Sequence, residues 1–219
     1  MLSTRNLQNR GNEMEKRPQQ ERSKARVEKI LLTTGELLRD IGYEALSTKQ
    51  VAARAGLPVG TIYQFFPNKD ALVQALVARL QEDVEQLAQE LASVEATRLQ
   101  DLGPFIARLV DGIAAIQGRS AGFVCLFAGS PVNSEFEGLV SGLRDSLLQQ
   151  VERALKDAAP HLTARSLSQT LIIMSEITRG IIAQFDRAEP AERAALIEEL
   201  KTALTAYVNV KVRAAVDAS

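Results

Sequence analysis

The side chains that most often carry covalent or metal chemistry are almost absent from this sequence. It has one histidine, His161, and one cysteine, Cys125. A single histidine cannot supply the paired ligands of a helix-borne zinc site or the two Glu-x-x-His pairs of a di-iron bundle. A single cysteine excludes an intramolecular disulfide framework and multi-cysteine clusters, and points to a reducing cytoplasm. Cys125 has no basic neighbour in sequence to activate it, so an inert thiol is expected. No catalytic set, metal or cofactor is therefore expected, and the chain does not read as an enzyme. The informative spacing lies between residues 46 and 69, where the chemistry is noncovalent. Thr48, Lys49, Thr61, Tyr63, Gln64 and Lys69 carry the hydroxyl, amide and ammonium groups that bond phosphates and base edges.

These side chains need rigid local elements to hold them. Ser47 and Gln50 form a capping box for a short helix that runs to Ala55, and Gly56 supplies the left-handed residue that ends it. Leu57-Pro58 turns the corner into another short helix from Val59 to Phe66, stopped by Pro67. Two short helices crossing closely need a small residue, here Ala52, at the contact. Val51, Ala55, Ile62 and Phe65 are predicted to close a small core with a preceding helix. The apolar positions of that helix, Val27, Ile30, Leu31, Leu37, Leu38 and Ile41, recur at helical steps and stop at Gly42. With Ile62 and Phe65 inward, Val59, Gly60, Thr61 and Gln64 face outward. Gln64 suits an adenine, the Thr61 methyl or Val59 suits a thymine methyl, and Gly60 lets backbone come close. Lys49 can reach a phosphate or a base edge.

Charge agrees with this placement. The net charge is -1, but residues 1–69 hold 12 Lys and Arg against 7 Asp and Glu, and residues 70–219 hold 14 against 20. A basic head on an acidic body directs a polyanion to one end. Residues 1–23 show no hydrophobic period and read as a flexible tail. The longest uncharged run, residues 120–134, is too short and too broken by Gly and Pro to span a bilayer, and with no apolar run in the first 26 residues a secretory signal is not expected.

Beyond the two short helices the pattern is helical throughout, with no strand. Asn68 is a good N-cap for a long helix striped by Leu72, Leu76, Leu80, Val84, Leu87 and Leu91 to about residue 96. Further helical segments are predicted at residues 104–117, 134–159, 163–185 and 191–216, with a short apolar piece at 123–128. The fold class is all-α, with a three-helix helix-turn-helix domain at residues 24–70 and a larger helical bundle at 71–219.

Residues 46–69, LSTKQVAARAGLPVGTIYQFFPNK, closely resemble the DNA-binding segment of the tetracycline-repressor (TetR) family. The likeness rests on Ser47-Thr48, Val51-Ala52-x-x-Ala55-Gly56, Gly60-Thr61-Ile62-Tyr63 and Phe66-x-Asn68-Lys69, and covers about residues 24–80. It implies about nine helices, a homodimer through the last two long helices, and a small-molecule pocket in the carboxy-terminal domain. It also implies that Tyr63 and Lys69 hold phosphates of a double-stranded operator, beside Thr48 at a helix start. The expected function is a cytoplasmic repressor released by a ligand. The alternative is a DNA-binding protein of this kind that acts through a protein partner without an effector.

The pocket is harder to place. Candidate lining residues are Leu109, Ile113, Leu143, Leu147, Ile173 and Ile177, with Phe123, Cys125 and Phe127 from the short apolar piece. Any core would hold such residues too. The helix at 163–185 is apolar around much of its circumference and must be covered on two sides, so a twofold partner is expected there. Leu196, Leu200, Leu204, Tyr207, Val208 and Val212 of the last helix are expected to share that contact.

Overall fold

The computed structural model describes residues 5–93, 102–119, 134–185 and 187–217, with side chains from residue 20 onward except those of 134–140, 143 and 215–217. All the regular structure among them is helical: α1 (Arg5–Ala45), α2 (Thr48–Ala55), α3 (Val59–Phe65), α4 (Lys69–Ala92), α5 (Gly103–Arg119), α6 (Ser134–Ala158), α7 (Ala164–Ile182) and α8 (Pro190–Asp217). No helix among the described residues is long and apolar enough to cross a membrane. The short apolar piece with Phe123, Cys125 and Phe127 lies outside the described residues, as does the Leu143 side chain.

Helix α1 carries most of the predicted stripe, with Ile30, Leu31, Leu37 and Leu38 buried and Val27 half-buried, but Ile41, expected in the stripe, is exposed one residue before the break at Gly42. Gly42 has φ 73°, and the chain then drops Tyr43 and Leu46 into the core. Residues 5–23, expected to lack regular structure, instead continue α1 as helix. Their Gln, Glu, Arg and Lys favour helix intrinsically, a preference that does not depend on an apolar stripe.

Helix α4 joins the two halves. Its buried residues form two adjacent columns, Leu72-Leu76-Leu80-Leu87 and Val73-Val77-Val84-Leu91, because α1 packs on one side while α5 and α6 pack on others. Gly112 of α5 is needed at one of these contacts, since a Cβ there would stand 2.2 Å from Leu87 Cδ1. A chain of ion pairs runs along the same seam. Arg79 of α4 meets Glu28 of α1 at 3.4 Å and the buried Asp83 at 3.2 Å, and Arg119 at the end of α5 meets Asp83 at 3.3 Å. Two guanidiniums compensate a carboxylate that would otherwise lose its hydration unpaired.

The body is completed by α8 along α5, and by α7 between α6 and α8. Leu200, Leu204 and Val208 of α8 are buried inside this single chain. The expectation that they face a partner copy is corrected: α8 spends that face on α5. Lys201 ties the same pair of helices, donating to Asp111 at 2.6 Å and Glu198 at 2.8 Å. Among the described residues of the body, the large apolar side chains left exposed are Ile172 and Ile173 on α7 and Val210 on α8.

Candidate nucleic-acid interface and body cavity

The turn between α2 and α3 is built as its residue types require. Ser47 Oγ accepts the Gln50 backbone N–H at 3.3 Å and donates to Gln50 Oε1 at 2.7 Å. Gly56 adopts φ 62°, ψ 37°, and its N–H closes on the carbonyls of Ala52 and Ala53. Val51, Ala52, Ala55 and Ile62 are buried, which fixes α3 against α2. Phe65 is the exception to the predicted core: it is half-buried on the flank, and Phe66 fills the interior. Helix α3 ends at Phe65, and the extended backbone at Phe66 (φ -136°, ψ 110°) swings the next ring inward.

One face of α3 is consequently presented outward. Val59, Gly60 and Gln64 are exposed, Thr61 is half-exposed, and Tyr63 is 51% exposed beside a fully buried Ile62. Lys49 is exposed on α2. Thr48 is buried, and its hydroxyl donates to Tyr63 Oη at 3.1 Å. With Thr48 donating, the Tyr63 hydroxyl keeps its own proton to donate, polarised by the bond it accepts. Thr48 therefore reaches the surface through Tyr63.

Lys69 is half-buried at the start of α4, with its ammonium 4.3 Å from the Tyr43 ring centroid and donating to the Tyr43 carbonyl at 3.4 Å. The Tyr43 hydroxyl bonds the Asp70 carboxylate. Asn68 caps α4 by accepting the Ala71 N–H at 2.8 Å. Together these contacts clamp the end of α1 to the first turn of α4. A second clamp joins α1 to α2, where Arg54 donates to Asp40 at 2.7 Å and Arg39 at 3.1 Å. The Arg54 bond, then that of Arg39, holds the Asp40 carboxyl below its ordinary range. Arg54, although exposed, is thus paired with Asp40, leaving Lys49 as the unpaired cation of α2 among the described residues.

The body holds a cavity of about 210 Å³ between α5, α6 and α7. Of the candidate lining residues, Leu109, Ile113 and Leu147 border it, joined by Val151 and Met174. Ile173 and Ile177 do not. Ile173 is exposed and Ile177 packs on the flank of the core, because the inward face of α7 is set by Met174 and Thr178, one residue further round the helix. Four charged side chains also border the space: Arg144, Asp145, Glu176 and Arg179, the last two paired with each other.

Comparison with known proteins agrees with this layout. Residues 30–76 match the model for bacterial regulatory proteins of the tetR family, and residues 101–207 match that for the tetracyclin repressor-like C-terminal domain. The chain belongs to the TetR family. It is 22% identical over 183 residues to the HTH-type transcriptional regulator UidR of Escherichia coli K12, covering 79% of this chain and 88% of that protein. It is 40% identical over 62 residues to the HTH-type transcriptional repressor KstR of Rhodococcus jostii, covering 28% and 29%. Among solved structures, the regulator FadR of Bacillus subtilis in complex with stearoyl-CoA superposes with a TM-score of 0.60 at 14% identity, over 81% of this chain and 96% of that one. At that identity the likeness concerns the fold.

For this TetR-family chain, a DNA-binding transcription regulator, the sequence located the outward residues of α3 but missed the clamps behind them. Asp40, Tyr43 and Asp70 are polar residues whose partners lie 14 to 27 positions away, a distance at which spacing carries no signal. Arg144, Val151 and Met174 were missed as lining, although Arg144, Leu147, Leu148 and Val151 recur at steps of three and four along α6.

Proposed function

We propose that this chain is a cytoplasmic, dimeric repressor that binds a pseudo-palindromic operator through residues 24–70 and is released by a small molecule held in residues 71–219. The observation that carries the reading is the outward face of α3, where Gln64, Thr61, Gly60 and Val59 stand clear of a fully packed turn. An α-helix presented this way fits the major groove. Gln64 pairs with an adenine edge, and the Tyr63 hydroxyl, Lys49 and the remaining donors of Lys69 take phosphates. Exposed Ile172, Ile173 and Val210 support a twofold contact through α7 and α8. The cavity supports an effector over a regulator that acts only through a protein partner. The B. subtilis neighbour, in complex with stearoyl-CoA, also supports a small-molecule ligand on this fold.

The test is titration of the purified protein against the DNA flanking its own gene. Specific binding should fall steeply with salt. Gln64→Ala should relax discrimination at one base position by about 1–3 kcal/mol. Lys69→Ala should weaken all operator variants alike and lower the salt slope by about 1. An unchanged slope in Lys69→Ala would remove that residue from the phosphate set, and absence of any specific binding would sink the reading.

A further inference from the structure

The charged residues around the body cavity are not equivalent. Glu176 and Arg179 satisfy each other across one turn of α7. Asp145 is exposed and keeps its water. Arg144 is half-buried against the apolar wall of Leu147, Val151 and Met174, and among the described residues it has neither an ion pair nor a hydrogen-bond partner. A guanidinium moved partly out of water without a carboxylate is an unfavourable arrangement. It becomes favourable when an anion enters, because a planar fork of N–H donors matches a carboxylate bidentately. Of the four charged side chains that border the cavity, the other three are either paired or exposed, so this one cation stands ready.

From this arrangement we infer that the ligand of the cavity is a small carboxylate with a compact apolar body, its carboxylate on Arg144 and its body against Leu109, Ile113, Leu147, Val151 and Met174. The inference rests on the effector reading above and adds the ligand's chemical class. Size supports a compact body. A dry cavity of about 150 Å³ accepts a benzene ring, and this one, at about 210 Å³, has room for a ring and a short arm. Asp145 at the rim disfavours a second negative charge, so a monoanion fits best.

Calorimetric titration of the full-length protein with benzoate, phenylacetate and hexanoate, and with the corresponding neutral amides and benzylamine, tests the inference. At least one carboxylate should bind, with its amide at least about tenfold weaker. Arg144→Gln should lose about 30-fold in carboxylate affinity, the scale of a charge-assisted pair, and leave amide affinity unchanged. Its Tm should equal or exceed that of the wild type, since an unpaired half-buried charge is removed. Amides binding as tightly as carboxylates, benzylamine binding best, full carboxylate affinity in Arg144→Gln, or no carboxylate binding at all would each overturn it. A carboxylate that binds through Arg144 but leaves the operator complex intact would instead count against the effector reading, with the ligand class standing.

Discussion

The outward face of α3 and the inner wall of the body cavity are made from the same element, an amphipathic helix, and use it in opposite ways. Helix α3 is seven residues long and turns small or polar side chains outward from a packed base. Helices α5, α6 and α7 turn apolar side chains inward and leave a gap among them. The first surface needs a fixed backbone, because base edges are read by hydrogen bonds with tight geometry. The second needs unfilled volume, which a well-packed interior ordinarily lacks. The cross-links are accordingly in the head, where two clamps and a glycine turn tie α1, α2, α3 and the first turn of α4 together, and the unfilled volume is in the body.

The sharpest way to break this contrast is to open a void in each region. Ile62 and Leu204 are both fully buried, and truncating either to Ala should cost about 2–5 kcal/mol and on the order of 10 °C in Tm. Only Ile62→Ala should also lower operator affinity at temperatures where the protein remains folded. Equal loss of DNA binding in Leu204→Ala, read by fluorescence anisotropy, would show that the two regions are not separable in this sense.

A smaller effect separates backbone demand from surface demand within the head. Gly56 has a positive φ, whereas Gly60 has open space where a Cβ would go. Gly56→Ala should cost about 1–2 kcal/mol of stability. Gly60→Ala should leave stability unchanged or raise it by up to about 1 kcal/mol, yet weaken operator binding by placing a methyl on the surface that meets DNA. Denaturant melts and binding curves on both variants check the reversal.

The smallest expected effect is a pH dependence that sharpens the same contrast. The folded Asp40 carboxyl titrates below its unfolded value, so its contribution is fully present above about pH 4 and is lost as pH falls through the lowered folded value. The Lys201 ammonium in the body is raised by its bonds to Asp111, then Glu198. Its contribution is therefore present below about pH 10.4 and is lost as pH rises through the raised value. Tm profiles of Asp40→Asn should converge with the wild type only at the acid end, and those of Lys201→Met only at the alkaline end. Convergence of both at one end would contradict these assignments.

The head was legible because its determinants are local. Ser47 and Gln50, Gly56, Pro58 and Asn68 each act within four residues, and each sits in the geometry its type implies. The choice between Phe65 and Phe66 was not legible, since either is one helical turn from Ile62 and the end of α3 decides. In the body the stripes of α4 and α5 were legible as helix. Their partners were not: Leu200 and Leu204 satisfy a dimer pattern and an intrachain pattern equally well, and only the docking of α8 on α5 selects. Ile173 failed as a lining residue by one position, about 100° of helix rotation.

Helix α4 has a mechanical consequence beyond its role as a joint. Leu87, pressed into the notch at Gly112, is a fulcrum, and Lys69 with its hold on Tyr43 is the end of the arm. About 27 Å of helix separates them at 1.5 Å per residue. A tilt of about 5° at the fulcrum would therefore carry the head through about 2 Å, several times the spread of hydrogen-bond lengths in proteins.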